Sequence, residues 1–122
     1  MTPQPTPSDE LLHLVRQSLD DDKAIDPVNI PLAGKTTLAD WMVVATGTSQ
    51  RHITAMAEKL MERLKAGGVE KPEAEGLGNT DWVLIDAGDI IIHLFRAETR
   101  ALYDIEKLWS VVNTRRDAAG AA

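Results

Sequence analysis

Residues Asp81 to Trp109 read DWVLIDAGDIIIHLF and then RAETRALYDIEKLW. The first half holds two apolar runs, VLID and IIIHLF, separated only by Ala87-Gly88-Asp89, which is the pattern of an antiparallel hairpin with a tight turn. The second half spaces Ala101, Leu102, Ile105, Leu108 and Trp109 on one face of a helix. Arg100, Tyr103, Asp104 and Lys107 then fall outward or at its border. The unit carries Trp82, Tyr103 and Trp109 and several carboxylates, with no nucleophile or metal-ligand set beside them. It reads as a docking surface rather than an active site.

Upstream of the hairpin, helix and strand patterns alternate. Ser8 is placed to cap a first helix, with Asp9 and Glu10 where the helix dipole favours acids and Leu11, Leu12, Val15 and Leu19 on one face. That helix is expected to end near Lys23. Val28, Ile30 and Leu32 alternate with Asn29 and Pro31, and the prolines assign this segment to a sheet edge. WMVVATG is continuous and β-branched, as a central strand covered on both faces is. Thr48 or Ser49 caps a second helix whose apolar set is Ile53, Met56, Ala57, Leu60, Met61 and Leu64; Gly67-Gly68 stops it. The stretch through Lys71-Pro72 and Glu75-Gly76 reads as a polar loop leading to VLID. The order is α-β-β-α-β-β-α, an α/β (α+β) fold with a mixed sheet of about four to five strands and flanking helices.

The chain has 122 residues, enough for one domain and one core. The boundaries expected are a tail at 1–7, a single domain at 8–112 and a C-terminal tail at 113–122. A formal charge of −6 and a pI near 4.9 disfavour direct contact with phosphate backbones and point to a basic partner. The absence of cysteine removes disulfides, thiolate catalysis and sulfur-ligated zinc. With no signal-peptide pattern and no apolar run of membrane length, the expected location is cytoplasmic.

Two features invite a catalytic reading. Gly47-Thr48-Ser49, between a strand and a helix, is where an anion can sit on free backbone N–H groups with Arg51 and His52 nearby. It lacks the lysine and the glycine spacing of a phosphate loop, so an ordinary capped turn is favoured. Asp81, Asp86 and Asp89 lie close in sequence, but Asp86 and Asp89 flank a turn, where aspartate bonds the local backbone. No catalytic residue, metal site or cofactor is assigned. His93 shares a strand face with Ile91 and Phe95, and a hydrogen-bonded neutral core histidine is the favoured reading. Trp109 is expected in the core, whereas Trp82 and Tyr103, flanked by charge, suit an interface.

The strings DWMVVATGTSQRH, EGLGNTDWVLIDAGDIIIHLF and ETRALYDIEKLW resemble the Iojap family of ribosomal silencing factors (RsfS), over roughly Ser8 to Ser110. The resemblance implies a nucleotidyltransferase-like shape without the transferase acids, hence no enzyme activity. It further implies binding to the large ribosomal subunit through its ribosomal protein fourteen. Bound there, the domain blocks joining of the small subunit and represses translation when nutrients are short, and it pairs as a homodimer when free. Carried onto this sequence, the partner-facing residues are Trp82, Ala87, Phe95 and Tyr103, with Asp81, Asp89, Arg100 and Glu106 supplying charge. Direct nucleic-acid contact is expected to be small. The rival is a nucleotide-binding or nucleotidyltransferase-like enzyme using Gly47 to Ser49 with Asp86 and Asp89. Arg51 and His52 match a family pair whose simplest role is capping and packing the second helix.

Overall fold

The computed structural model describes residues 7–78 and 80–109. The expected tails and the expected domain end at 112 lie outside these residues, except Pro7, which is the first residue of helix α1 (Pro7–Asp21). Proline suits that position, since its missing N–H has no partner in a first turn and its φ is already helical. Ser8 therefore lies within the first turn instead of capping it. Past Asp21, Lys23 turns left-handed (φ 63°), and the N–H groups of Lys23 and Ala24 donate to the carbonyls of Asp20 and Leu19. This double closure ends the helix.

The chain continues as β1 (Ile25–Pro31), β2 (Trp41–Gly47), α2 (Gln50–Ala66), β3 (Glu73–Glu75), β4 (Trp82–Asp86), β5 (Ile90–Arg96) and α3 (Ala97–Tyr103). The strands form one mixed sheet in the order β1-β2-β5-β4-β3. β2 and β5 run parallel at its centre, and the other pairs are antiparallel. β1 is an edge strand, where Pro27 and Pro31 leave no central ladder bond unmade. The expected order lacked β3. Residues 73–75 read as loop because a three-residue strand offers one alternation, Glu73-Ala74-Glu75, and its pairing with β4 is a tertiary fact.

The two sheet faces are distinct. α1 and α2 pack on one, over Val43, Ala45, Val83, Ile85, Ile92 and Leu94, all fully buried. The reverse face carries a smaller cluster of Ile30, Leu32, Ala39, Met42, Val44 and Phe95, against which Ile105 and Trp109 pack. Trp109 thus joins the core as expected.

The last helix departs from its expected pattern. α3 stops at Tyr103, Asp104 takes a left-handed conformation (φ 47°), and its N–H donates to the Arg100 carbonyl; residues 105–109 are again helical. The break resets the helical phase. Ile105 and Trp109 turn inward, while Leu102 (77% exposed) and Leu108 (62%) face water, and Ala101 is exposed too. One continuous apolar stripe does not form.

Candidate docking site

The β4–β5 hairpin positions the site. Trp82 pairs with Phe95, Leu84 with His93 and Asp86 with Ile91, so these six side chains share the face away from α1 and α2. β3 extends it, because Glu75 lies across from Leu84 and Glu73 across from Asp86. Trp82, Leu84 and Ile91 are half-buried there, and Glu73, Glu75 and Asp86 are exposed. An open cavity of about 310 Å³ lies against Trp82, lined by Glu75, Gly76 and Leu84. Gly76 is required at its edge: φ is +85°, and a Cβ would collide with the Trp82 carbonyl oxygen.

Trp82 is the centre of an aromatic group. Its ring centroid lies 4.9 Å from those of both Phe95 and Tyr103, and its indole N–H donates to His93 Nδ1 at 3.0 Å. An indole N–H only donates, so Nδ1 must be the unprotonated nitrogen and the ring proton sits on Nε2. Burial pushes the His93 pKa down to about 4, because desolvation disfavours the imidazolium. The neutral, bonded core histidine read from the sequence is what the fold contains.

The structure sorts the partner-facing candidates. Trp82, Phe95 and Tyr103 come together. Tyr103 is 55% exposed, but Phe95 is 1% exposed and Ala87 4%, so neither can touch a partner. Phe95 backs Trp82, and Ala87 belongs to the core under α1 and α2. Arg100 is engaged internally, with Nε 2.5 Å from Glu106 Oε1 and Nη1 donating to Thr46 Oγ1 at 2.8 Å. That pair anchors residues 97–109 on the sheet instead of offering free charge. Asp81 accepts from Gln50 Nε2 at 2.9 Å and lies 3.7 Å from Arg96 Nη1, at the border of the site. Asp89 stands at the other end of β5, about 20 Å away at roughly 3.3 Å per residue. Leu84, Glu73 and Glu75 were missed. The alternation in VLID, which places Leu84 beside Trp82 on one face, was a usable signal; β3 gave none.

The Gly47 turn is a capped turn. Ser49 Oγ accepts from the His52 N–H, which caps α2, and the Thr48 N–H donates to His52 Nδ1 at 2.9 Å. Nε2 then carries the proton and donates to the Asp22 carbonyl at 2.8 Å. His52 therefore ties the end of β2, the start of α2 and the end of α1 together, and these N–H groups are not free to cradle an anion. Gly47 is buried where a Cβ would meet Ile53 Cγ1 at 2.6 Å, so α2 packs tightly on the strand end. Arg51 is exposed. Asp86 accepts from the Gly88 N–H at 2.9 Å, the turn role expected of it.

A family model described as ribosomal silencing factor during starvation (RsfS) matches residues 5–121. The chain belongs to the RsfS family. It is 57% identical over 99 residues to the ribosomal silencing factor RsfS of Zymomonas mobilis, covering 81% of this chain and 74% of that one. The Haemophilus influenzae RsfS is 36% identical, with 82% and 98% covered. A mouse relative, mitochondrial assembly of ribosomal large subunit protein 1, is 35% identical over 84% of this chain and 45% of its own length. In three dimensions the fold matches a crystal structure of a Chromobacterium violaceum protein with a TM-score of 0.79, 37% identity, and 83% and 84% coverage. A Bacillus halodurans crystal structure matches at 0.74, with 35% identity, and 82% and 93% coverage. The family gives a role in ribosomal silencing, a regulatory task, and the family membership suggested by DWMVVATGTSQRH and the strings after it is thereby shown.

Proposed function

We propose that this protein silences ribosomes by docking the Trp82 face on ribosomal protein fourteen of the large subunit, where its bulk blocks joining of the small subunit. It acts as a cytoplasmic, non-enzymatic repressor of translation when nutrients are limiting. The observation that carries the reading is the composition of that face: half-buried Trp82, Leu84 and Ile91 ringed by exposed Glu73, Glu75 and Asp86. Half-exposed aromatics anchor interfaces because they remove much apolar area from water. Acids around them speed encounter with a basic ribosomal protein and keep like-charged surfaces away. The mechanism is steric and requires only that the docked domain occupy volume the small subunit needs.

Free protein is proposed to pair with itself. The sheet edges do not favour strand-to-strand pairing, since β1 carries two prolines and β3 two glutamates, both devices that blunt an edge. Exposed Leu102 and Leu108 supply the apolar surface instead. Light scattering at micromolar concentration is expected to give a dimer mass; a monomer mass contradicts pairing.

Gradient sedimentation of purified subunits tests the function. Added protein is expected to travel with the large subunit and to lower the fraction of joined ribosomes in proportion to its occupancy. Unchanged joining at full occupancy contradicts the steric mechanism.

A further inference from the structure

We infer that His93 is the residue that positions Trp82 for docking: its ring accepts the indole N–H and fixes the orientation in which a partner meets the tryptophan. The inference rests on the docking role proposed for Trp82. His93 sits in β5, a strand with neighbours on both sides, and is itself 7% exposed. Its ring stacks on Phe95 with centroids 5.7 Å apart and planes within 5°. A ring held in this way is a fixed acceptor, and the Trp82 N–H reaches it at 3.0 Å.

The other neighbours of Trp82 do not give that direction. Phe95 and Tyr103 meet it as tilted rings at 33° and 42°, contacts that tolerate rotation of the indole better than a hydrogen bond does. Trp82 is only half-buried, so without the bond its outer part gains freedom to sample other orientations, and a partner must then freeze one. Freezing one such side chain weakens association by roughly threefold to tenfold.

The bond also determines what the partner sees. Because the indole N–H is already engaged by His93, Trp82 presents apolar ring and no donor. The surface opposite it needs aliphatic or cationic groups rather than an acceptor.

The test compares His93→Leu, similar in bulk but without an acceptor, with His93→Asn, whose carbonyl oxygen can take the place of Nδ1. Hydrogen exchange of the Trp82 indole N–H is followed by nitrogen-15 NMR in the free protein, the signal being identified by its loss in Trp82→Phe. Affinity is measured on purified large subunits. His93→Leu is expected to speed indole exchange and weaken binding roughly threefold to tenfold, and His93→Asn to restore both to within roughly twofold of wild type. Slow exchange or wild-type affinity in His93→Leu overturns the inference, as does equal weakening by both variants. Should His93→Leu not fold, the wild-type imidazole nitrogen spectrum decides: a proton on Nδ1 overturns the inference, and one on Nε2 with a slowly exchanging indole supports it. If the NMR outcomes hold while wild-type protein ignores the large subunit, the positioning stands and the docking role fails.

Discussion

Beneath α1 and α2, Val43, Ile53, Met56, Leu60, Ile85 and Ile92 are completely shielded from water, whereas on the reverse of the same sheet Trp82, Leu84 and Ile91 are half-buried beside exposed acids. Strand alternation supplies both faces from one set of strands. In β4, Val83 and Ile85 point to the helices and Trp82, Leu84 and Asp86 away from them. An apolar strand is therefore not necessarily core on both sides. Here one face carries the larger core, and the other, though Val44 and Phe95 are buried on it, stays partly open around half-buried Trp82, whose indole N–H the buried His93 accepts.

Substitutions should therefore separate by face. The largest loss of stability is expected from Leu60→Ala, which opens a cavity under α2 and costs about 2–5 kcal/mol. Urea unfolding measures it, and whatever fraction stays folded should still bind the large subunit.

Acid reaches the open face through His93. Its folded pKa is lowered from 6.5 to about 4, so between these values the unfolded chain takes the proton and the folded one does not. Stability is then complete above about pH 6.5, falls as pH drops toward 4, and loses no more from His93 below that, about 3 kcal/mol in all. Comparing wild type with His93→Asn at pH 7 and pH 4 isolates the contribution of His93. The stability difference should move in the variant's favour in acid, and a pH-independent difference contradicts the assignment.

Smaller effects sharpen the contrast. Ser49→Ala removes the α2 cap and should cost about 1 kcal/mol, read by thermal unfolding, without altering affinity. Leu84→Ala should change stability by about 1 kcal/mol or less because the side chain is only half-buried, yet weaken large-subunit binding about tenfold because it lies beside Trp82 on the docking face.

Local sequence encodes the two faces unequally. The hairpin, the central strand WMVVATG and α2 were readable, because each is a period or a turn expressed locally. Trp82 and Tyr103 stand out as interface aromatics by their charged flanks, and Phe95 joins them by resemblance, which does not show that it is covered. Phe95 is covered because Ile105 and Trp109 pack on that side of the sheet, and Ala87 because the turn folds under α1 and α2. Arg100 and Glu106 read as free charge, since nothing local shows that the chain resets its helical phase at Asp104 and brings the two together, with Arg100 also bonded to Thr46. β3 was invisible for want of length, and with it Glu73 and Glu75, the acids closest in register to Leu84 and Asp86.

The docking role of Trp82 stands or falls on co-sedimentation of Trp82→Ala with purified large ribosomal subunits, run beside wild type once a cooperative thermal transition has verified that the variant is folded. Loss of the aromatic anchor is expected to cost about 2 kcal/mol or more of binding and to leave the variant at the top of the gradient. Wild-type levels of the folded variant in the large-subunit fractions would show that Trp82 is not the anchor.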